Sequence, residues 1–134
     1  MSSVFMKTFK LAMMPQRLAI CRLGPTDELP AAICQASFWS ITRTSEELSL
    51  VIPEDRVPPG CQCVAGWRAL QVAGPLDFTL TGVISALAAP LSQAEITLFA
   101  LSTYDTDTIL VREADLDRAI AVLTRAGHRV ERHH

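Results

Sequence analysis

The chain has 134 residues, of which 49% are hydrophobic, so one ordinary domain or two very small ones can form a core. Its formal net charge is -2, and acidic and basic residues are mixed along the chain without the basic stripe that nucleic-acid binding requires. Residues 78–93 carry no charged side chain, but Gly82 and Pro90 interrupt them and they fall short of the roughly 18 residues of a transmembrane helix.

The first 14 residues carry Lys7 and Lys10 among several apolar residues. This stretch faintly resembles a signal peptide, but Lys10 interrupts its apolar run and no small-x-small cleavage motif follows. We therefore expect an N-terminal extension, residues 1–14, that is either an irregular lead-in or an extra strand, and a cytoplasmic protein. The closing pair His133-His134 is either native or the remnant of a tag, and no prediction uses it.

The first half of the chain predicts strands and little helix. Residues 18–23 form an apolar run that ends at Gly24-Pro25, and residues 50–52 form another. The segment 54–67 leaves little room for a helix, and Pro58-Pro59-Gly60 would break one there.

Four cysteines are present, and disulfides are not expected in a reducing cytosol. Cys21 and Cys34 fall in apolar segments, where a thiol behaves as a small core residue. Cys61-x-Cys63 lacks the C-x2-C spacing of a structural zinc site, and the three histidines lie far away near the C-terminus. We interpret the cysteines as structural or incidental thiols, with a metal or redox role for Cys61 and Cys63 as the alternative.

The middle of the chain predicts a strand followed by a helix. Strand 67–72 ends at Gly74-Pro75. Apolar residues from Leu80 to Leu91 recur at helical spacing, and Pro90 should kink or close that helix because proline has no N–H to donate. Gly82 falls in the first turns, where it lowers helix propensity and leaves space for a ligand or a backbone.

The C-terminal third predicts a hairpin, a helix and a final strand. The apolar runs 95–101 and 108–111 are short and rich in β-branched residues, with a polar connection between them. Helix 115–126 has one apolar stripe and begins at Asp115, which can cap its N-terminus. A short strand, 128–131, follows.

From residue 67 onward the order is therefore strand, helix, strand, strand, helix, strand. This is the ferredoxin-like pattern, in which two helices cover one face of a four-stranded antiparallel sheet. The first half echoes it at offsets of 50 residues for Gly24-Pro25 and 59 residues for segment 44–54, so its first helix should be cut short. We predict an α+β fold of tandem ferredoxin-like lobes, with residues 15–65 as a degenerate lobe and residues 66–132 as a complete one.

Two segments carry polar groups that could converge. The junction 74–82 precedes a helix whose first-turn N–H groups lack internal partners and suit a carboxylate. The loop 103–107 offers hydroxyl groups and two carboxylates, which could accept from an ammonium or guanidinium group. In the alternative, Asp77 or Thr79 merely caps the helix and the loop is a solvated turn.

No catalytic signature occurs in the sequence. It has no Gly-x-Ser-x-Gly elbow, no phosphate-binding glycine loop and no His-Glu-x-x-His motif. A cysteine–histidine pair would need His128, and nothing in the sequence places His128 near a cysteine. We therefore expect no enzyme, no cofactor and no metal site, with acid–base work by Asp105 and Asp107 as the remaining catalytic alternative.

Gly-Pro-Leu-Asp-Phe-Thr-Leu-Thr-Gly at residues 74–82 and Phe-Ala-Leu-Ser-Thr-Tyr-Asp-Thr-Asp at residues 99–107 resemble ACT domains. The similar group includes the CASTOR-type arginine sensors and small bacterial tandem-ACT proteins, with aspartate kinase regulatory domains as more distant relatives. The resemblance covers residues 66–130 and, more loosely, residues 15–65. It implies that a free amino acid binds at a seam between two ACT domains, with Asp107 as the partner of the ligand cation and Tyr104 as a wall. The candidate ligand-binding residues that the resemblance implies are Asp77, Phe78, Thr79, Leu80, Gly82, Thr103, Tyr104, Asp105, Thr106 and Asp107.

The resemblance further implies a regulatory module that binds a free amino acid and catalyses no reaction. Pairing of two copies would build the seam, so we expect a homodimer. The alternative is a structural or protein-interaction protein whose pocket is vestigial. The sensors carry four ACT domains and a target-binding surface, whereas this chain carries about two domains, so ligand identity and target do not transfer.

Overall fold

Seven strands and two α-helices form the part of the chain that this computed structural model describes, residues 7–77 and 79–132. The strands are β1 (Lys10–Leu23), β2 (Ser40–Arg43), β3 (Leu48–Pro53), β4 (Gln62–Val72), β5 (Leu98–Ser102), β6 (Asp107–Arg112) and β7 (Arg129–Glu131). The helices are α1 (Val83–Gln93) and α2 (Leu116–Arg125), and single 3-10 turns lie at Ala31–Gln35, Glu54–Arg56 and Glu113–Asp115. Expectations for residues 1–6, Phe78 and His133-His134 fall outside the described residues.

None of the helices within the described residues has both the length and the apolar character that a bilayer crossing demands.

The chain divides into two compact units. The inserted unit is residues 16–67, and the discontinuous unit combines residues 1–15 with residues 68–134. β1 and β4 each contribute to both units, because the boundaries follow Pro15 and Trp67. Residues 10–14, expected as part of an extension, form the start of β1, and the domain bounds at residues 15 and 66 stay a prediction.

In the inserted unit, β3 pairs with β1 and β2, and both pairings are antiparallel. Alternate residues of these strands point inward, so Cys21 of β1 and Leu50 of β3 pack in one apolar cluster with Ile33. The Ala31–Gln35 turn is all the helix that this unit has between β1 and β2, which agrees with the expected shortening.

The cysteine expectation is right for Cys21 and wrong for Cys34. Cys21 is buried, whereas Cys34 is exposed because the Ala31–Gln35 turn buries Ile33 and leaves the next residue at the surface. All four cysteines are free. Burial raises the pKa of the Cys21 thiol to about 12, and the neighbouring Cys61 and then Cys63 act in the same direction.

In the discontinuous unit, β4, α1, β5, β6, α2 and β7 follow the ferredoxin-like order that the sequence predicts. The sheet, however, has a fifth strand, which corrects the expectation of four. The start of β1 pairs in parallel with β7 from Lys10↔Arg129 to Ala12↔Glu131, and β1 also neighbours β4. Leu11 and Met13 point inward at a period of two and join the core, which explains why this segment becomes a strand.

The two helices place apolar residues against that sheet. Val83, Leu87 and Leu91 of α1 are buried, as are Leu116 and Leu123 of α2. Asp115 precedes α2 as expected but makes no capping hydrogen bond through its side chain, which corrects that prediction.

Pro90 lies inside α1, which continues to Gln93 instead of closing there. A proline has no N–H, so the carbonyl of Ala86, four residues earlier, lacks its helical partner. His128 supplies the replacement, because its Nε2 lies 3.1 Å from that oxygen while its Nδ1 accepts the N–H of Phe9 at 3.0 Å. This arrangement requires the neutral tautomer with the proton on Nε2.

Candidate functional site

A cavity of about 540 Å³ opens in the discontinuous unit, between the segment that precedes α1 and the turn that joins β5 to β6. These are the two segments in which the sequence places polar groups. The cavity is lined by Leu76, Asp77, Leu80, Val83, Ser102, Thr103, Tyr104, Asp105, Thr106 and Asp107.

Seven of the predicted candidates line this cavity: Asp77, Leu80, Thr103, Tyr104, Asp105, Thr106 and Asp107. Thr79 instead donates to Asp77, Gly82 precedes α1 without lining the cavity, and Phe78 lies outside the described residues. The prediction omits Leu76, Val83 and Ser102. Leu76 and Ser102 lie within the motifs that resemble ACT domains, and Val83 belongs to the apolar stripe of α1, so the sequence contained signals for all three.

Hydrogen bonds join the segment before α1 to the β5–β6 turn. The N–H of Leu76 donates to the carbonyl of Asp105 at 2.7 Å. Thr106 Oγ1 donates to the carbonyl of Val72 at 2.6 Å. A Cβ atom at Gly74 would lie 3.1 Å from the Asp105 carbonyl oxygen. The two backbone segments can therefore approach this closely only because residue 74 has no side chain.

The segment that carries the two candidate carboxylates turns and is not extended. The N–H of Thr103 donates to the carbonyl of Thr106 at 2.8 Å, and the N–H of Thr106 donates to Thr103 Oγ1 at 3.3 Å. Both Asp105 and Asp107 line the cavity. Asp107 is the better anchored of the two, because it opens β6 opposite Ser102.

Asp77 is engaged in its own turn as well as lining the cavity. Its Oδ1 accepts from the N–H of Thr79 at 2.9 Å and from Thr79 Oγ1 at 2.8 Å. These bonds, first that from the backbone and then that from the hydroxyl, lower the pKa of the Asp77 carboxyl. Asp77 therefore stays ionised and adds negative charge beside the cavity.

The start of α1 provides the opposite electrostatic character. Gly82 precedes the helix with φ of 82°, a left-handed conformation that favours glycine. Because glycine has no side chain, it cannot cap the first-turn N–H groups. Val83, the first residue of α1, lines the cavity. The first-turn N–H groups of a helix carry partial positive charge and suit an anionic group.

The arrangement suits a ligand with one negative and one positive group. Asp105 on the turn and Asp107 at the start of β6 both line the cavity, and so does the beginning of α1. Tyr104, expected as a wall, lines the cavity but is 82% exposed, so it lies at the rim. Among residues 7–77 and 79–132, no group of three or more His, Cys, Asp or Glu side chains is arranged to hold a metal ion.

A family model for the ACT domain matches residues 62–125, and a second model, for an N-terminal domain, matches residues 16–60. The cytosolic arginine sensor for mTORC1 subunit 1 from Bos taurus is 33% identical over 102 residues, which cover 68% of this chain. The chain spans about a third of that relative, 31% of its length. The human protein CASTOR3P is 32% identical over 124 residues, which cover 80% of this chain and 75% of CASTOR3P.

Solved structures show the same fold. The crystal structure of a protein from Agobacterium tumefaciens superposes with a TM-score of 0.90 at 36% identity, over 96% of each chain. The ligand-free regulatory subunit of aspartate kinase from Thermus thermophilus superposes with a TM-score of 0.62 at 9% identity, over 90% of this chain and 99% of that one. The match to the ACT model and the 32% identity to CASTOR3P over 75% of that protein show that the chain belongs to the ACT-domain family.

Proposed function

We propose that this chain is a regulatory module that binds a free amino acid in the cavity beside α1 and catalyses no reaction. The observation that carries the proposal is the convergence of the start of α1 and the acidic β5–β6 turn on one cavity of about 540 Å³. A volume of this order is within the roughly 300–1,000 Å³ of small-molecule sites in general.

The ligand's carboxylate faces the first turn of α1, where N–H groups without helical partners can donate to it. Its ammonium group or cationic side chain faces the β5–β6 turn, with Asp107 as the principal acceptor and Asp105 as a second one. Related proteins are named as cytosolic arginine sensors, so amino acids with cationic side chains are the first ligands to test.

A structural protein with a vestigial pocket is the second candidate, and one observation favours it. Asp77 and Thr103 already use side-chain oxygens within their own turns, as they would in a protein without a ligand. The two candidates differ in whether the carboxylates of the β5–β6 turn have a partner from outside the chain.

We also propose that two copies associate and that the protein acts in the cytoplasm. The resemblance to ACT domains supports association, because a seam between two such domains closes a cavity that is open in one of them. β5 ends the strand order of the discontinuous unit, and a strand at the edge of a sheet can pair with another chain. Sedimentation that shows only monomer at high micromolar concentration would contradict this part of the proposal.

A thermal-shift panel of the twenty amino acids tests the function. A ligand at a hundred times its Kd stabilises the folded chain by about 2.7 kcal/mol, which is readily detected. We expect one amino acid or a small related group to raise the melting temperature, and the response to be lost in Asp107→Asn. A flat response across the whole panel would favour the vestigial pocket.

A further inference from the structure

We propose that the inserted unit holds a second copy of this site, in which the Arg43 side chain already spans the two walls and takes up the space that the open site leaves for a ligand. The chain therefore presents one open site in the discontinuous unit and one self-occupied site in the inserted unit. Removing the Arg43 side chain opens the second site to a small guanidinium cation. This inference goes beyond the proposed function, because it does not require that the first cavity binds an amino acid.

The two hairpins correspond residue by residue. Arg43, the last residue of β2, pairs with Leu48, the first residue of β3. In the same way, 59 residues later, Ser102 at the end of β5 pairs with Asp107 at the start of β6. A four-residue turn follows each first strand, and in both turns the first residue is threonine. The N–H of Thr44 donates to the carbonyl of Glu47 at 2.9 Å, as that of Thr103 donates to Thr106 at 2.8 Å. Arg43 is therefore the counterpart of Ser102.

The junctions before the helical segments correspond as well, at an offset of 50 residues. Gly24-Pro25 matches Gly74-Pro75, and an aspartate follows two residues after each proline, at Asp27 and Asp77. Ile33 and Val83 stand at the same offset, and both are buried near the start of a helical segment. The counterparts of the two walls of the open cavity are thus present in the inserted unit.

Arg43 bridges these counterparts. Its Nη1 donates to the carbonyl of Pro25, and its Nη2 donates to the carbonyl of Asp27 at 2.9 Å. The planar fork of a guanidinium group suits two acceptors at once, and an ammonium group does not reproduce it. In the discontinuous unit the corresponding side chain is the short Ser102, which lines the open cavity. The difference in length between arginine and serine decides which of the two places is filled.

The other contacts of the two turns support this assignment. In the discontinuous unit the Asp105 carbonyl accepts from the main-chain N–H of Leu76 at 2.7 Å. In the inserted unit the corresponding carbonyl, that of Glu46, accepts from Arg22 Nη2 at 2.9 Å. At this carbonyl an arginine side chain thus replaces the main-chain N–H that contacts the other turn. The carbonyls of Pro25 and Asp27 are the acceptors that remain when the Arg43 side chain is removed.

The test compares the full chain with Arg43→Ser, Arg43→Lys and Arg17→Ser. Arg17→Ser is the charge-matched control, because Arg17 lies in the same unit and pairs with Glu54 at 3.8 Å. Melting temperatures are measured in millimolar methylguanidinium chloride and in sodium chloride of equal concentration. Two-dimensional amide spectra of the same samples locate any binding.

We expect Arg43→Ser to lower the melting temperature by about 3 °C, and methylguanidinium to restore at least half of that loss while shifting the amide signals of residues 24–27. Arg43→Lys should respond less, because its ammonium group keeps one contact. The wild-type chain and Arg17→Ser should show no such restoration. Equal restoration in Arg17→Ser, a folded Arg43→Ser that does not respond, or an Arg43→Ser that stays unfolded with the cation would each overturn the proposal.

Discussion

The N–H of Leu76 donates to the carbonyl of Asp105 at 2.7 Å, and this bond joins the segment before α1 to the turn before β6. The hydroxyl of Thr106 adds a second link, to the carbonyl of Val72 at 2.6 Å. The two walls of the cavity are therefore fixed to each other at one end. A substitution at that contact should change the cavity before it changes the core of the unit.

Gly74→Ala should separate the two walls. The added Cβ would lie 3.1 Å from the Asp105 carbonyl oxygen and 3.1 Å from Thr106 Cβ, so the turn must shift. We expect the free energy of unfolding to fall by about 1–3 kcal/mol, as for other overpacked sites, together with a loss of ligand affinity. Chemical denaturation and calorimetric titration measure the two effects.

Gly24→Ala is the matched control for that variant. Gly24 occupies the corresponding position in the inserted unit, but its Cβ would meet the Asp27 side chain at 3.2 Å, which can rotate away more readily than a main-chain carbonyl. Ligand affinity should stay at the wild-type value in Gly24→Ala. Equal losses of affinity in the two glycine variants would contradict the site in the discontinuous unit.

Asp107→Asn should weaken ligand binding far more than it weakens folding. Hydrogen bonds to charged groups contribute about 1.5–3 kcal/mol, which corresponds to a loss of affinity of roughly ten- to a hundred-fold. Asp105→Asn should cost less, because Asp105 stands within the turn whereas Asp107 is held in β6 opposite Ser102. Affinity and melting temperature are measured on both variants. Wild-type affinity in both would place the ligand elsewhere.

Gly82→Val should reduce stability and ligand affinity through the backbone. No atom of the described residues lies within 4 Å of a Cβ at Gly82, but the φ of 82° is strained for a branched side chain. A left-handed residue other than glycine costs roughly 1–2 kcal/mol, and relief of that strain would move the start of α1. Gly82→Asn should keep most of both properties, because asparagine tolerates this conformation. If Gly82→Val and Gly82→Asn behave alike, backbone strain is not the reason.

His128→Leu should be strongly destabilising on its own and less so beside Pro90→Ala. Leucine leaves the Ala86 carbonyl and the Phe9 N–H without the partners that His128 provides at 3.1 Å and 3.0 Å, and each buried unsatisfied group costs about 1–3 kcal/mol. In the double variant, the N–H of alanine at position 90 can donate to Ala86. The double variant should therefore lose less stability than the two single variants combined, in a denaturation cycle. Additive losses of stability would show that His128 does not replace the hydrogen bond that Pro90 cannot donate to Ala86.

The burial of Cys21 should make the folded chain less stable at alkaline pH. The unfolded thiol ionises near its ordinary pKa of 9.0, whereas the folded thiol stays protonated until about 12, so the unfolded state binds fewer protons between those values. The free energy of unfolding should then fall as pH rises from 9.0 towards 12. Cys21→Ala should flatten this fall, and Cys34→Ala, at an exposed position, should not. Parallel pH profiles for all three proteins would refute the link.

The periodicity of apolar residues was enough to predict the order of elements from β4 to β7, because amphipathic patterns at periods of two and 3.6 are local properties of a chain. The polar motifs at residues 74–82 and 103–107 likewise predict both walls of the cavity. Each motif is formed by residues close together in sequence, so it is visible without knowledge of the fold.

The tertiary structure decided what depends on partners far away in sequence. The start of β1 becomes a fifth strand because β7, more than a hundred residues later, provides its edge. Pro90 is tolerated because His128 reaches Ala86 from beyond α2, and Arg43 meets the carbonyls of Pro25 and Asp27 only after β2 has folded back. Residue types and their spacing alone determined the secondary-structure elements and the polarity of the site. The fold brings distant hydrogen-bond partners together, and these partners determined which strand joins the sheet and which groups remain open to a ligand.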